Sequence, residues 1–201
     1  REDVLEFSRV HEIRNLQLFV DLLRERVGSP VNISSLAQML QISPNTAARY
    51  LEILEALYIV FRVTPWHRDV ARSLLKESKV YFFDTGLVRG DAGARLENAV
   101  AAMLLKHAHY RQDTEGKAVT LHTIRDKEHH EIDFVLAEES AITDLIEVKQ
   151  AAAAVSPYFH RMAERFPLAR SVQIVAELRQ ETQRGKVEVS SAAEWLAGLQ
   201  A

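Results

Sequence analysis

The spacing of apolar residues changes near residue 90, and this change constrains the fold of the 201-residue chain more than any other feature. Before it, apolar residues recur at the helical period of three to four positions, and two strand-like runs follow. After it, one helical stretch leads into several runs that are typical of β-strands. The sequence therefore predicts one domain over residues 1–90 and a second over residues 91–201.

The first domain is predicted to be mainly helical. Its second helix is expected to begin at Ser35, and its third has Ser43 as N-cap and Pro44 at the first helical position. Strand-like runs follow at residues 59–63 and 79–83. Helices joined by a short turn and followed by two strands are the order of a winged helix-turn-helix.

The second domain is predicted to mix helices with strands. A helix near residues 94–109 is followed by strand candidates at 118–124, 131–137 and 142–149, and then by further helices and strands. This order predicts a mixed sheet flanked by helices. The fold class is therefore α/β, or α+β for the chain as a whole.

Composition excludes several classes of protein. Without cysteine the chain has no disulfides, zinc ribbons or thiol nucleophiles, which suits a reducing cytoplasm. No apolar run approaches the roughly 20 residues of a membrane helix, so we expect no membrane partner. The net charge of −3 means that nucleic acid would have to bind a local basic patch. The chain begins at Arg1, and we interpret it as a piece of a longer protein.

Charged residues in the second domain stand at positions where apolar residues are expected. Asp133 interrupts a buried-looking strand, and Glu147 and Lys149 are two residues apart, on one face of the next strand. Glu97 lies beside the apolar stripe of a helix. Carboxylates suit Mg²⁺ or Mn²⁺, and such an ion activates water for phosphodiester cleavage. We predict Glu97, Asp133 and Glu147 as metal ligands, and these three with Lys149 as catalytic residues.

The same residues resemble the PD-(D/E)XK signature of restriction-endonuclease-like nucleases. Asp133 is followed after thirteen residues by Glu-Val-Lys at 147–149, and Glu97 matches the helical acid of that superfamily. Ile132 stands where the superfamily has proline. The resemblance implies a restriction-endonuclease-like mixed sheet and metal-dependent cleavage of DNA.

The chain also resembles the C-terminal domain of unknown function of bacterial and archaeal AAA+-type ATPases. The matching segments are residues 43–46, 79–87, 96–98, 131–134 and 146–149. This resemblance implies an N-terminal ATPase module as partner. ATP would bind only there, because the chain has no Gly-x-x-x-x-Gly-Lys-Ser/Thr motif.

Two segments of the first domain are predicted to contact nucleic acid, which we expect to be DNA. One is the start of the third helix and the other is the basic segment from Arg62 to Lys79. Basic residues there would bind phosphates, while residues of the helix would read bases. The predicted contact residues are Asn45, Thr46, Arg49, Arg68, Arg72 and Lys76.

Each of these features also has a structural alternative. The acids and Lys149 could form an ion-pair cluster or the remnant of a nuclease site, and the third helix could dock the ATPase. Zinc is not expected, because His129 and His130 are adjacent and point to opposite faces of a strand. The alternatives to DNA cleavage are a non-catalytic module that regulates the ATPase, and a winged-helix regulator whose second domain makes a homo-oligomer.

Overall fold

The computed structural model describes residues 2–67 and 77–199, with side chains from residue 11 onward. The described helices are α1 (Glu2–Arg24), α2 (Ile33–Leu40), α3 (Pro44–Ala56), α4 (Ala92–Glu115), α5 (Pro157–Arg165) and α6 (Ala192–Ala197), with a 3-10 turn at Thr85–Leu87. The described strands are β1 (Val60–Pro65), β2 (Lys79–Phe82), β3 (Val119–Arg125), β4 (Glu131–Glu138), β5 (Ala141–Ala151), β6 (Arg170–Glu177), β7 (Thr182–Arg184) and β8 (Val187–Ser191). The predicted mixture of helices with a mixed sheet is confirmed. No helix within these residues is long and apolar enough to cross a membrane.

All eight described strands form one sheet in the order β2-β1-β3-β4-β5-β6-β8-β7. Strands β3, β4 and β5 are antiparallel neighbours, and β5, β6 and β8 are parallel neighbours. The hairpin of β1 and β2 joins this sheet through a short parallel pairing of β1 with β3, at Thr64↔His122 and Pro65↔Thr123. The sheet therefore extends across residue 90, and the domain boundary there stays a prediction.

The β1–β2 hairpin is shared between two hydrophobic cores. Alternating residues of a strand point to opposite faces. On one face Val80 and Phe82 pack with helices α1, α2 and α3. On the other face Phe61 and Tyr81 pack in the core that α4 covers with Leu104. The hairpin thus fixes the three N-terminal helices against the rest of the molecule.

Helices cover both faces of the central strands. On one face Leu104 of α4 shares a core with Ile146 of β5. On the opposite face Phe159 of α5 packs with Leu145 and Val175. The middle of strand β5 is therefore buried on both sides, so a buried carboxylate there, such as that of Glu147, needs polar partners.

Side-chain caps set the start of the N-terminal helices. Helix α2 begins at Ile33, so the predicted start at Ser35 is wrong. Its cap is Asn32, whose Oδ1 accepts a hydrogen bond from the Ser35 amide at 2.8 Å. The predicted cap of α3 is confirmed, because Ser43 Oγ accepts from the Thr46 amide at 3.0 Å.

Asn98 of α4 provides hydrogen-bond partners for backbone groups on the outer side of the edge strand β2. It is fully buried, and its Oδ1 accepts from the Phe82 amide at 2.8 Å. Its Nδ2 donates to the Phe82 carbonyl at 2.9 Å and lies 3.0 Å from Thr85 Oγ1. The carboxamide therefore replaces a neighbouring strand for Phe82, which keeps buried backbone groups paired.

We predict that Asn98→Leu lowers the free energy of unfolding by at least about 2 kcal/mol, because it leaves the amide and the carbonyl of Phe82 buried without partners. Urea denaturation measures the loss. The matched control is Asn45→Leu at an exposed position of α3, for which we expect a change within about 0.5 kcal/mol. Equal losses in the two variants would contradict the role of Asn98.

Candidate functional site

A β-bulge sets the direction of Asp133. The register of β3 and β4 shifts so that Asp133 and Phe134 together lie opposite Thr123. Phe134 packs in the core beneath α4, whereas its neighbours Ile132 and Val135 pack in the core beneath α5. A bulge of this kind breaks the strict alternation of a strand and re-aims a side chain. Here it allows the carboxylate of Asp133 to approach groups on the α4 side.

The Asp133 carboxylate lies where β4 and β5 stop pairing. Its Oδ2 accepts a hydrogen bond from the Val148 amide at 2.8 Å. Burial, together with the nearby Glu97 carboxylate, raises the pKa of Asp133 to about 7 against the opposing effects of Lys79, the Val148 amide and Lys149. Asp133 therefore keeps its proton to a higher pH than an exposed aspartate does, because burial and a neighbouring acid both disfavour its charged form.

Lys79 lies among the acids. Only 3% of its surface is exposed, its Nζ is 3.1 Å from Glu97 Oε1, and it also contacts Glu131 Oε1. Burial would lower the pKa of Lys79, but the carboxylates of Glu97, Asp133 and Glu131 outweigh burial and raise that pKa. Lys79 is therefore a buried cation that joins β2, α4 and β4.

The Glu97 carboxylate is enclosed by the N-terminal part of the chain. The Tyr81 hydroxyl donates a hydrogen bond to Glu97 Oε1 at 2.7 Å. Burial and the Glu97 charge raise the pKa of Tyr81 well above its ordinary value, so the hydroxyl keeps its proton. Gly28, with φ of 78°, lies so close that an added Cβ would be 2.8 Å from Glu97 Oε2. A glycine is therefore required at this approach.

Glu147 and Lys149 form the second part of the site. Glu147 is buried; its Oε2 accepts from Gln173 Nε2 at 3.0 Å, and its Oε1 is 3.2 Å from Lys149 Nζ. Lys149 is partly exposed. Glu147 and Glu131 both line a cavity of about 290 Å³ that His130, Ser156, Pro157, Tyr158 and Arg161 complete. The cavity therefore lies against the carboxylates at this end of the strands.

Asp133 is close to two of the other predicted site residues, but the three predicted metal ligands do not converge on one point. Asp133 is near Glu97 and Lys149, and each of them shifts its pKa. The carboxylates of Glu97, Asp133 and Glu147 do not all lie within 4.8 Å of one another. Among the described residues, one group of three possible ligands meets that distance, and it consists of Asp126, Glu128 and His130 in the turn before β4. A shared ion at the predicted site would require side-chain rotation of Glu97 or Glu147.

Sequence reasoning missed four residues of this site. They are Lys79, Tyr81, Glu131 and Gln173. The predicted placement of Lys79 in a basic surface segment is wrong, because Lys79 is buried against the acids. Lys79 and Tyr81 are two residues apart in β2, and this spacing could have indicated that their side chains point to the same face.

The predicted nucleic-acid contacts fall into two groups. On α3, Asn45 and Arg49 are exposed, whereas the Thr46 hydroxyl is engaged with the Ser43 hydroxyl at 2.8 Å. In the basic segment, Arg62 is exposed but forms an ion pair with Glu55 at 2.8 Å. The remaining predicted contacts lie outside the described residues, namely Arg68, Arg72 and Lys76.

We predict that Asp133→Asn stabilises the protein at about pH 8 by at least about 1 kcal/mol. Asn still offers an acceptor to the Val148 amide but carries no charge. The pKa of Asp133 is raised from 3.8 to about 7 on folding, so the unfolded chain ionises first and stability falls as pH rises between these values. The advantage of Asn should therefore vanish near pH 4, as urea denaturation at both pH values would reveal.

The control is Asp113→Asn at an exposed position of α4, which should alter stability by less than about 0.5 kcal/mol at either pH. An Asp133→Asn variant that is less stable than wild type at both pH values would show that the charge of Asp133 stabilises the fold.

Comparison with known proteins identifies two families along the chain. The model of a domain of unknown function, DUF8612, matches residues 1–97. The model of a second domain of unknown function, DUF4143, matches residues 92–195, just over half of the chain. No solved structure matches the chain significantly.

Two relatives are uncharacterized proteins of Mycobacterium bovis and Mycobacterium tuberculosis. Each is 34% identical to this chain over 55 residues, which cover 27% of the chain. The match spans only 12% of the length of either relative. The chain belongs to the family defined by the domain of unknown function DUF4143.

Proposed function

We propose that this chain is the C-terminal part of an AAA+-type ATPase-family protein and cleaves phosphodiester bonds of DNA with the help of Mg²⁺ or Mn²⁺. The placement beside an ATPase is supported by the family, since DUF4143 domains are commonly associated with AAA ATPases. The proposal of cleavage is supported by one observation above all. Asp133 is turned by a bulge toward Glu97, at the end of β4 where Glu147 and Lys149 lie on the adjacent strand.

The order of elements supports a finer assignment of the fold. Helices α2 and α3 followed by the β1–β2 hairpin have the order of a winged helix-turn-helix. The succession α4-β3-β4-β5-α5-β6 has the order that we predicted for a restriction-endonuclease-like domain. We propose these two folds for the N-terminal and C-terminal parts of the chain.

The chemistry of the donor set fits a hard divalent cation. Mg²⁺ and Mn²⁺ prefer oxygen ligands, and a cation would oppose both the burial and the repulsion by Glu97 that raise the pKa of Asp133. Asp133 would hold the ion together with Glu97 and Glu147. When bound, the ion supplies a polarised phosphoryl oxygen and a water of lowered pKa.

The other groups of the site act on the substrate. Lys149 is partly exposed beside the cavity, where its ammonium can approach a phosphate and offset the charge that develops during cleavage. Gln173 holds Glu147 by a buried hydrogen bond and so fixes one carboxylate oxygen. Arg161 and Tyr158 line the same cavity and can contact the nucleic acid there.

A second candidate function is a non-catalytic module that binds DNA or protein and regulates the attached ATPase. The pairing of Lys79 with Glu97 and Glu131 and of Lys149 with Glu147 favours it. These ion pairs neutralise the acids internally, as a structural clamp between β2, α4 and β4 would require. The two functions differ in whether Asp133 and Lys149 are needed for a reaction.

We predict that the protein, joined to its ATPase module, cleaves plasmid or branched DNA when Mg²⁺ or Mn²⁺ is present. Asp133→Ala and Lys149→Ala should each lower the rate by at least about a hundredfold, because they remove a metal ligand and a phosphate-facing cation. Gel electrophoresis of the products measures the rate. The matched control is Lys117→Ala, a lysine that is paired with Glu115 away from the site, and it should retain full activity. Cleavage that survives both site substitutions, or no cleavage by the wild type, contradicts the proposal.

We predict separately that DNA binding depends on phosphate contacts of the basic segment. The logarithm of the affinity should then fall linearly with the logarithm of salt concentration. Reversing Arg68 and Arg72 to Glu should abolish the binding, as fluorescence anisotropy would measure. Unchanged binding by this variant would exclude the basic segment as the contact surface.

A further inference from the structure

Lys79 occupies the place among the acids where a cation is most favoured. Its Nζ contacts Glu97 and Glu131, which come from α4 and β4, and its charge acts on Asp133 as well. Lys79 is one of the few charged side chains that are buried among the described residues. Two carboxylates lie against its ammonium group, although one would balance its charge. One ammonium group thus balances carboxylates from separate elements.

Lys79 reaches this place from the N-terminal part of the chain. It is the first residue of β2, and its backbone is held near Pro30 by an isolated bridge and by the Val31 amide, which donates to the Ser78 carbonyl at 2.9 Å. Gly28 of the same region closes over Glu97. The helices and hairpin before residue 90 therefore supply both the countercharge and part of the cover of the acidic site.

We propose that Lys79 is a built-in counter-cation that competes with the divalent ion for Glu97 and Asp133, so that the site binds metal well only when the Lys79 ammonium is displaced from these carboxylates. This proposal rests on the proposed function, since it concerns regulation of the same site. Its physical basis is repulsion: a divalent ion and a buried ammonium that share the same carboxylates raise each other's energy. The N-terminal part of the chain thereby supplies the charge that competes with a metal ion for the acids.

The test measures Mn²⁺ binding to the purified chain by isothermal titration calorimetry. Lys79→Met keeps the length of the side chain but removes the charge, and it should tighten Mn²⁺ binding by at least about tenfold. Lys79→Arg keeps the charge and should bind Mn²⁺ as weakly as wild type. The matched control Lys117→Met removes a paired lysine elsewhere and should leave the affinity unchanged. Equal Mn²⁺ affinity in wild type and Lys79→Met overturns the proposal.

Thermal unfolding separates this role from a purely structural one. Lys79→Met should unfold at a lower temperature than wild type without metal, because its acids lose their countercharge, and millimolar Mn²⁺ should restore much of the loss. A loss of stability that Mn²⁺ does not reverse overturns the proposal. If Lys79→Met does not fold under either condition, the double variant Lys79→Met/Glu131→Gln decides. It removes one charge of each sign, and it should bind Mn²⁺ more tightly than wild type; weaker or equal binding overturns the proposal.

The outcome for Lys79 is distinguishable from the outcome for DNA cleavage. Tighter Mn²⁺ binding by Lys79→Met with no cleavage by wild type would support the counter-cation and reject the nuclease. Cleavage that depends on Asp133, with Mn²⁺ affinity unaffected by Lys79→Met, would support the nuclease and reject the counter-cation.

Discussion

The ion pairs of the buried Lys79 ammonium connect more of this molecule than any other polar interaction around the candidate site. They join the edge strand β2 to helix α4 through Glu97 and to strand β4 through Glu131. Loss of one member of a buried ion pair typically costs about 3–5 kcal/mol, because the partner remains buried and uncompensated. The short pairing of β1 with β3 adds only two residue pairs to this connection. The ion pairs of Lys79 therefore fix the position of the hairpin relative to α4 and β4, while its apolar residues pack in the two cores.

The acids acquire their properties from how the sheet is built. A bulge turns Asp133 toward α4, and the Val148 amide that no longer pairs across the strands holds its carboxylate. Burial and the nearby Glu97 carboxylate raise the pKa of Asp133 to about 7. Glu97 and Glu147 each form an ion pair with a lysine. Perturbed acids of this kind concentrate at functional sites, although structural ion pairs produce them too. This site contains a perturbed acid as well as structural ion pairs. The nuclease and the regulatory module therefore predict different effects when the same residues are substituted.

The general order of helices and strands could be predicted from sequence, because it follows the local spacing of apolar residues. The acids could be predicted because they are charged residues within otherwise apolar segments. Asp133 and Glu147 are charged residues in apolar strands, and Ser43 with Pro44 marks a helix start. Partners distant in the chain were beyond such reasoning. In the sequence Lys79 ends a basic segment, which predicts a surface position. The pairing of β2 at the sheet edge instead directs its side chain toward the acids. The bulge at Asp133 depends on the register with β3, which no local pattern encodes.

If acids from α4, β4 and β5 form one site for a divalent cation, crystals of the wild type and of Lys79→Met grown with Mn²⁺ should contain the ion there. We expect an anomalous scattering peak in contact with Asp133 and with Glu97 or Glu147, accompanied in the wild type by displacement of the Lys79 ammonium. A peak confined to Asp126, Glu128 and His130 in both proteins, or no peak at Asp133 in either of them, would rule out such a site.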